Sequence, residues 1–438
     1  MNGEKRNSGR KRKRTSSMSD DVYEVENIIE HKEDKGGSFL YKVKWKGWPL
    51  SQCTWEPIGN LRGCLETVVE YFHNIVYPGF QQIPFTSRVE TLRNNLLQYS
   101  EEEFNKYVPN FMQLGSYDES DVARTENLLT LLAKLPPAAR DQKLLNEVRN
   151  NLMRKKLYSR RTKQLALLKH WEAEINLLSE ESAPITVVNN INLEGPPVNF
   201  MYVSKNISSV SVKVLDDPLV GCECITCSRT GCCNASSGGP VYSKGVLKVT
   251  RGTPIYECNK RCQCGPECEN RVLQHGRKVP LSIFMTHNGC GWGVKTLQDI
   301  RKGEFVTEYV GEVISTEEAE RRGRKYDKQG CTYLFDLDFN DKDNFPYTVD
   351  AAVYGNVSHF INHSCSPNLE VFAVWVNCLD PNMPRLGLYA SRYIKSGEQL
   401  TFDYLCQPLD KDSKKRNGLD AVKNYCKCGA SNCRKYLF

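Results

Sequence analysis

Clustered cysteines are the clearest chemical signal in this 438-residue sequence, which contains 19 of them. Nine lie between residues 222 and 268: Cys222, Cys224, Cys227, Cys232, Cys233, Cys258, Cys262, Cys264 and Cys268. Nine thiolates do not divide into separate four-cysteine sites. Three tetrahedral zinc ions need twelve metal–sulfur bonds, which six terminal and three bridging thiolates supply. The count therefore predicts a trinuclear zinc cluster, with redox-active or free thiols as the alternative.

Three further cysteines, Cys426, Cys428 and Cys433, lie within the last 13 residues. They are one ligand short of the four that a structural zinc ion prefers. We expect Cys365 to complete the set, because it closely follows Asn362 and His363, two side chains suited to ligand binding. A shared zinc ion would fold the C-terminal segment back onto this motif. A three-cysteine site completed by water is the alternative.

The start of the sequence favours an intracellular protein. It reads GEKRNSGRKRKRTSS after the first two residues and lacks the apolar stretch of a secretory signal. No run of about 18 apolar residues occurs, so no membrane span is expected. Clustered cysteines in such a chain are typical of metal sites rather than disulfides.

The formal net charge of +7 is concentrated at the N-terminal end. Residues 1–14 contain seven Lys or Arg residues and one Glu, which leaves about +1 for the other 424 residues. This distribution argues against a protein that coats nucleic acid with its whole surface. The basic run is typical of a nuclear import signal, with a flexible solvated tail as the alternative. Thiolate ligands would make the rest of the chain weakly acidic, which suits a cationic partner.

Residues 21–78 have the pattern of a small sheet closed by a helix. Apolar and polar residues alternate in 23–26 and in 41–45, and residues 34–37 have hairpin-turn composition. Residues 63–72 have helical spacing. We predict three strands and a helix.

The next stretch, from residue 79 to about 214, has a more helical pattern. Leu168, Trp171 and Ile175 recur at spacings of three and four within 142–180. This predicts a mostly helical linker that presents a partner-binding or dimerising face, or that packs on its own chain.

Several short motifs follow in an order that is characteristic of one enzyme family. They are Gly291-Trp292-Gly293, Glu308-Tyr309-Val310-Gly311-Glu312, Tyr333-Leu334-Phe335-Asp336, Asn362-His363-Ser364-Cys365 and Leu400-Thr401-Phe402-Asp403-Tyr404. With the two cysteine groups, they resemble the pre-SET, SET and post-SET cassette of histone-lysine methyltransferases. Residues 21–78 resemble a chromodomain through Tyr23, Lys44–Pro49 and Thr54–Pro57. A chromodomain joined to this cassette resembles the layout of the Su(var)3-9 family, which methylates lysine-nine of histone H3.

The resemblance implies a multidomain, β-rich protein. Its predicted parts are a basic disordered tail (1–20), a chromodomain with a three-stranded antiparallel sheet and a helix (21–78), a mostly helical linker (79–214), a pre-SET zinc cluster (215–278), a β-rich SET catalytic domain (279–412) and a post-SET zinc segment (413–438). It further implies three zinc ions in the pre-SET cluster and one in the post-SET segment.

The same resemblance implies that S-adenosylmethionine is the methyl donor. The residues that match its pocket are Cys290, Gly291, Trp292, Tyr333, Asn362 and His363. Glycine lets the backbone approach a ligand closely, and Asn and His side chains can hydrogen-bond adenine or amino-acid groups. Each feature alone also occurs in ordinary turns and cores.

Tyr309, Phe402 and Tyr404 match the family's lysine channel, with Tyr404 as the hydroxyl that orients the amine and His363 as a further catalytic candidate. A free lysine has a pKa near 10.4 and is protonated at neutral pH. Desolvation and an approaching sulfonium both lower that pKa. In the family a Phe at the position of Phe402 leaves room for added methyl groups, which predicts di- and trimethylation.

His359 is a departure from the family pattern, since several relatives have Arg there. An arginine is always charged, whereas a histidine with a pKa near 6.5 is readily neutral. The departure puts the level of activity in question, although not the class of reaction.

Tyr23, Trp45 and Trp48 resemble a methyl-lysine cage, in which several ring faces attract a quaternary ammonium. A small aromatic core is the alternative for these residues. Trp55 is predicted to lie in the core. Trp48 stands where a Tyr is more frequent in relatives, and Gln52 where Glu is frequent.

Taken with its family resemblance, the sequence predicts a nuclear histone-lysine methyltransferase of heterochromatin that reads its own product. Its implied partners are the histone H3 tail, nucleosomes and other heterochromatin proteins. A catalytically inactive adaptor that only binds methylated tails is the alternative; the intact Tyr404, Asn362 and His363 disfavour it.

Overall fold

The computed structural model describes residues 23–33, 39–57, 60–61, 64, 67–68, 71, 129, 142–214, 216–227, 232–329, 333–341, 345–405 and 425–437. The predicted tail 1–20, the turn 34–37, the linker before residue 142 apart from residue 129, and residues 413–424 lie outside them. Of the predicted helix 63–72, only Cys64, Thr67, Val68 and Tyr71 are described. The chain divides into two compact units, residues 1–159 and 160–438.

The first unit contains a three-stranded antiparallel sheet in the order β1-β2-β3. Its strands are β1 (Val25–Glu33), β2 (Phe39–Trp45) and β3 (Thr54–Pro57). Alternation in β2 buries Tyr41 and Val43 completely, and these pack with Ile28 of β1. The predicted three-stranded sheet is therefore confirmed.

A long helix, α1 (Gln142–Leu178), contains the apolar repeat of the predicted linker. In the first unit, Val148 and Leu152 join the core cluster of the sheet. In the second unit, Leu168, Trp171 and Ile175 are buried in the main core, so this part of the helix packs on its own chain.

The second unit is rich in short strands. They are β4 (Ile185–Val188), β5 (Met201–Tyr202), β6 (Ile207–Ser208), β7 (Tyr242–Ser243), β8 (Val246–Leu247), β9 (Ile255–Tyr256), β10 (Leu281–Met285), β11 (Trp292–Thr296), β12 (Phe305–Tyr309), β13 (Glu312–Ser315), β14 (Leu334–Asp336), β15 (Tyr347–Asp350), β16 (Tyr354–Gly355), β17 (Asn362–His363), β18 (Leu369–Trp375), β19 (Arg385–Ala390) and β20 (Gln399–Phe402). Helix α2 (Thr316–Gln329) connects β13 with the segment before β14.

Within the described residues these strands form three larger sheets. Their orders are β17-β20-β11-β10-β4, β12-β19-β18-β9 and β14-β15-β13-β6, with β16-β5 and β7-β8 as separate pairs. Strand β12 is buried along its whole length, including the carboxylate of Glu308. Arg385 of β19 pairs with that carboxylate at 2.6 Å, which compensates for burying a charge.

Residues 179–214 differ from the predicted mostly helical linker. The helix ends at Leu178, and β4, β5 and β6 follow. Each adds as a parallel strand to an element within residues 279–412, the predicted SET domain: β4 to β10, β5 to β16 and β6 to β13. Strands of two to four residues have too little periodicity to be recognised in a sequence, and only their partners stabilise them.

Two distant motifs meet through the parallel pairing of β17 with β20. Asn362 lies opposite Thr401, and His363 lies opposite Phe402. This register brings the Asn-His-Ser-Cys motif beside the strand that leads to Tyr404. No helix among the described residues is long and apolar enough to span a membrane.

Candidate active site and cysteine clusters

Cysteines of the first array converge on one region. Two overlapping sets have all four sulfur atoms within 4.8 Å of one another: Cys222, Cys227, Cys258 and Cys264, and Cys222, Cys233, Cys258 and Cys262. The Cys227–Cys258 and Cys222–Cys227 sulfur distances are 3.5 and 3.8 Å. Sulfur atoms on one tetrahedral zinc ion are about 3.8 Å apart, given bonds of about 2.3 Å. The spacing therefore fits zinc, and the shared Cys222 and Cys258 fit bridging ligands.

The other three predicted ligands of this array lie outside the two four-thiol sets. Cys268 Sγ is 3.8 Å from Cys258 Sγ. Burial and the neighbouring Cys222 raise the pKa of Cys224. Cys232 is buried at the start of a short 3-10 helix.

Hydrogen-bond donors around these sulfur atoms were not evident from the cysteine spacing. Cys262 Sγ accepts from the backbone N–H groups of Cys222 and Asn259, at 3.3 and 3.2 Å. Arg271 Nη2 donates to Cys264 Sγ at 3.6 Å. Although burial opposes the thiolate, this contact contributes to a lowered pKa of Cys264. Such donors orient and stabilise thiolate ligands.

The second cysteine group is brought together from two parts of the chain. The sulfur atoms of Cys365, Cys426, Cys428 and Cys433 lie within 4.8 Å of one another, and Cys365 and Cys426 are 3.9 Å apart. Four thiols at this spacing are the donor set of a structural zinc site. The position expected for the fourth ligand is thus occupied by Cys365.

Arg434 links the C-terminal segment to Asp403, which directly follows β20, a contact that sequence reasoning missed. Its guanidinium donates two hydrogen bonds to the Asp403 carboxylate, at 2.6 and 2.9 Å. Its backbone N–H donates to Cys365 Sγ at 3.3 Å. Asp403 lies between Phe402 and Tyr404, so the bidentate pair attaches the cysteine-rich segment directly to the channel residues. The sequence carried no signal for this ion pair, because its two residues are 31 positions apart and share no local motif.

Tyr309, Phe402 and Tyr404 enclose one side of a small cavity of about 30 Å³. The ring of Phe402 is 4.9 Å from that of Tyr404 and 6.1 Å from that of Tyr309, measured between centroids. Tyr333 and Phe335 also line the cavity. The three predicted channel residues therefore lie together, with a space suited to a narrow aliphatic group.

Both tyrosine hydroxyls of the channel donate to backbone carbonyls. The Tyr404 hydroxyl donates to Ile361 O at 2.9 Å, and the Tyr309 hydroxyl donates to Tyr333 O at 2.7 Å. Burial raises the pKa of Tyr404, with smaller contributions from Tyr333 and Cys290. The Tyr404 phenol is therefore neutral at physiological pH, and the oxygen atoms of both donating hydroxyls retain lone pairs that can accept a hydrogen bond.

His363 contacts both the channel and the second cysteine group. Its Nδ1 accepts from the backbone N–H of Tyr404 at 3.2 Å, and its Nε2 lies 3.4 Å from Cys365 Sγ. Burial lowers the pKa of His363, which favours the neutral ring. The structure places His363 as a support for the backbone of Tyr404.

The predicted cofactor residues surround Trp292. Asn362 Nδ2 donates to Trp292 O at 2.9 Å. Gly291 has a φ of +74°, a conformation that L side chains rarely adopt, and a Cβ on Gly293 would lie 2.9 Å from Thr286. Among the described residues, Nε1 of Trp292 is buried without an acceptor. An unpaired buried donor beside a glycine-lined backbone is consistent with a polar ligand.

Cys290 lies where this glycine-rich turn meets the C-terminal segment. Asn288 Nδ2 donates to Lys427 O at 3.2 Å, and Lys427 Nζ donates to Gly289 O at 3.2 Å. The second cysteine group thus contacts the predicted cofactor residues as well as the channel.

His359, the departure from the family pattern, stacks on Tyr333. The ring centroids are 4.3 Å apart and the planes are within 5° of parallel. Its Nδ1 donates to Ala351 O at 2.6 Å. Burial lowers the pKa of His359 to about 4, so the ring is neutral at physiological pH. An arginine here would carry a charge that this histidine lacks.

In the first unit, the three predicted cage residues lie together, with Tyr23 and Trp48 exposed and Trp45 half-buried. The ring of Tyr23 is 6.2 Å from that of Trp45 and 5.8 Å from that of Trp48. Tyr23 and Trp48 are 53% and 44% exposed, which disfavours a closed core. Trp55, predicted as core, is instead half-buried beneath Lys32, whose Nζ is 4.1 Å from the ring centre.

Comparison with known domain families agrees with this geometry. Residues 23–74 match the Chromo (CHRromatin Organisation MOdifier) domain, residues 178–271 the Pre-SET motif and residues 291–405 the SET domain.

Among characterised proteins, the chain is similar to histone-lysine N-methyltransferase SUV39H2 of Gallus gallus. The two are 41% identical over 422 residues, covering 95% of this chain and 89% of the relative. The chain is also 38% identical over 417 residues to histone-lysine N-methyltransferase Su(var)3-9 of Drosophila melanogaster, a match that covers 91% of this chain and 63% of the relative. A similar solved structure is Arabidopsis thaliana SUVH6 in complex with SAM, with 35% identity and a TM-score of 0.50 over 59% of this chain and 54% of that one.

Proposed function

Since the chain belongs to the Su(var)3-9 family of histone-lysine N-methyltransferases, we propose that it di- and trimethylates lysine-nine of histone H3 with S-adenosylmethionine as donor. The observation that carries this proposal is the aromatic cavity, in which the hydroxyls of Tyr309 and Tyr404 both donate to backbone carbonyls. The chain is a SET-type enzyme, and the proposal concerns its donor, its target lysine and its product.

The residues proposed to hold the donor are Cys290, Gly291, Trp292, Tyr333, Asn362 and His363. The unpaired Trp292 Nε1 and the hydrogen bond from Asn362 Nδ2 to Trp292 O support them. When bound, S-adenosylmethionine supplies an electrophilic methyl group on a sulfonium. The solved relative in complex with SAM supports the same choice.

The channel residues are proposed to position a neutral lysine amine. The apolar lining disfavours the ammonium form and lowers its pKa. Because the hydroxyls of Tyr404 and Tyr309 donate to carbonyls, their oxygens are left to accept from the amine N–H groups. Two such acceptors would direct the remaining nitrogen lone pair along the channel. Alignment of this kind is the main catalytic contribution of the protein.

The histone tail is proposed to add as a strand beside β14. This strand is at the edge of its sheet among the described residues, so its backbone is available for pairing. Phe335 of β14 lines the cavity, and Asp336 is exposed beside it. A cationic tail would be attracted to that acidic residue.

The target lysine can be tested with histone H3 peptides in which each lysine is replaced in turn. Loss of methyl transfer only on replacement of lysine-nine is the expected result. Transfer that survives this replacement would contradict the proposed specificity. A failure to methylate any H3 peptide would instead favour an inactive chromatin adaptor.

Three zinc ions in the first cysteine array and one in the second are proposed to stabilise the two ends of the catalytic region. The overlapping thiol sets, with Cys222 and Cys258 in common, support shared ligands in the first. Four thiols without overlap support a single ion in the second. Metal analysis of the purified chain should therefore give four zinc ions per chain.

Replacing Phe402 by Tyr should shift the product toward monomethyl-lysine. The cavity of about 30 Å³ has little spare room, and a hydroxyl at this position would occupy space that added methyl groups need. We expect trimethylated product to fall about tenfold, a discrimination typical of filling a small pocket. Mass spectrometry of reacted H3 peptide measures the distribution, and an unchanged distribution would rule out this role for Phe402.

The first unit is proposed to bind methylated lysine on histone tails. The exposed ring of Trp48 and the half-buried ring of Trp45, 5.8 and 6.2 Å from that of Tyr23, are arranged to attract a quaternary ammonium. An enzyme that binds its own product would be retained on marked nucleosomes and would extend the mark to neighbours. This activity fits a nuclear protein of heterochromatin that acts in gene silencing with other heterochromatin proteins.

Replacing Trp48 by Ala should weaken binding of a trimethyl-lysine H3 peptide about tenfold, because one cation–π partner is lost. Trp48 is 44% exposed, so the fold should tolerate the change. Fluorescence anisotropy with labelled peptides measures the affinity. Trp55→Phe is the matched control and should bind normally; equal losses in both variants would argue against a cage centred on Trp48.

A further inference from the structure

A second cavity of about 250 Å³ lies in the catalytic unit outside the channel and the cysteine clusters. It is bounded by one face of helix α1 and by residues 196–202. On the helix, His170, Trp171 and Glu174 lie at spacings that put them on one face. We call this the helix pocket.

The lining of the helix pocket favours a cation with a flat face. Trp171, Phe200, Tyr202 and His170 contribute rings, and Glu174 contributes a carboxylate; the other lining residues are apolar, namely Leu167, Ile175, Pro196, Pro197 and Val198. No lysine or arginine is among the lining residues that the structure describes. Glu174 is exposed and forms no ion pair with any described residue. Rings and a carboxylate together suit a guanidinium, which stacks on aromatic faces and pairs with carboxylates.

The size of the helix pocket suits a single side chain. Sites for cofactors and drug-sized ligands are usually about 300–1,000 Å³. A volume of about 250 Å³ is below that range. We propose that the helix pocket binds an arginine side chain of a histone tail, at a site separate from the lysine channel. Histone tails are the cationic partners on which this enzyme family acts, so they supply the matching charge.

Ring contacts connect the helix pocket with both parts of the active site. Trp171 lies edge-on to Trp292, with ring centroids 5.8 Å apart. Phe200 is 4.6 Å from His359, which in turn stacks on Tyr333 of the channel at 4.3 Å. A side chain that packs against Trp171 and Phe200 would restrict these rings, and the donor would then bind at a lower entropic cost.

Occupancy of the helix pocket should therefore lower the KM for S-adenosylmethionine about threefold, a modest coupling between two sites. The full chain is labelled with 5-fluorotryptophan, and the Trp171 signal among its six tryptophans is assigned with Trp171→Phe. The probe is the blocked pentapeptide Ala-Ala-Arg-Ala-Ala, which contains no lysine. We expect a saturable shift of the Trp171 fluorine signal and the lower KM.

Matched probes and variants separate the outcomes. The same peptide with citrulline, which lacks the charge, should have no effect, and Glu174→Gln should remove the response to arginine. Glu320→Gln changes an exposed glutamate on α2 and should leave the response intact. Equal shifts from the citrulline or a leucine peptide would overturn the cationic assignment, as would a response that survives Glu174→Gln.

The histone source is tested separately. An H3 tail peptide should displace the pentapeptide, and the same tail with citrulline for arginine should not. If displacement fails, the histone assignment is wrong. If deletion of residues 1–14 unmasks binding that the intact chain lacks, the chain's own basic segment is the occupant, and the histone assignment is again wrong. The fluorine signal does not depend on methyl transfer, so failure of the proposed catalytic function would leave this test readable.

Discussion

Replacing Tyr404 by Phe lowers methyl transfer by about two to three orders of magnitude and leaves donor binding within about twofold, which is our expectation for an oriented catalytic group. The Tyr404 hydroxyl donates to Ile361 O at 2.9 Å, so its oxygen is available to accept from the substrate amine. Phenylalanine retains the ring that packs against Phe402 at 4.9 Å but has no acceptor. The amine then loses its alignment while the channel keeps its shape.

The measurement is the rate of methyl transfer to an H3 peptide at saturating donor, together with donor affinity by calorimetry. Tyr393→Phe is the matched control, because Tyr393 is 50% exposed and its hydroxyl contacts Asp299 away from the channel. We expect normal activity in this control. A Tyr404→Phe enzyme with more than a tenth of the normal rate would assign the alignment to another residue, with Tyr309 as the nearest candidate.

Replacing Cys428 by Ser should reduce the zinc content by one ion per chain and lower activity at least about tenfold. Serine is a poor zinc ligand. The three thiolates that remain, of Cys365, Cys426 and Cys433, do not complete a tetrahedral set. Without the ion, the ion pair of Arg434 with Asp403 and hydrogen bonds such as that from Asn288 to Lys427 O remain to hold the segment. A single partly exposed ion pair contributes about 1 kcal/mol or less, which is too little to order it.

Donor affinity should fall together with activity in this variant, because Lys427 of the same segment contacts the turn that contains Gly289 and Cys290. Zinc is measured by mass spectrometry of the metal, and donor affinity by calorimetry. Cys53→Ser changes a thiol that belongs to neither proposed zinc set and should retain four ions and full activity. Full activity after loss of the ion would show that the C-terminal segment is not part of the active site.

Much of the candidate site could be predicted because its chemistry depends on residue type and local spacing. Nine thiols in one array and three in another determine a metal-ligand chemistry whatever the fold is. Prediction was weaker where partners are distant in sequence. Cys365 was expected as the fourth ligand only from the neighbouring motif, and its sulfur lies 3.9 Å from that of Cys426, which is 61 residues away.

Other features were decided by packing alone. The strands within 179–214 were hidden because two- to four-residue strands carry almost no periodic signal and depend on their partners for stability. Trp55 was predicted to lie in the core. This prediction was wrong because the sequence does not show which face of the sheet an apolar ring next to a turn covers. The structure places it beneath Lys32 instead.

The sequence by itself determined the ligand chemistry of both cysteine groups, the basic N-terminal segment, the aromatic and cofactor motifs and their family, because these depend on which residues are present and in what order. Only the tertiary structure decided that Arg434 pairs with Asp403, that His359 is neutral and stacked on Tyr333, and that Trp171 and Phe200 line a pocket behind the active site. The reason is physical: contacts between distant residues, and the burial that shifts a pKa, depend on strand register and on the packing of whole elements.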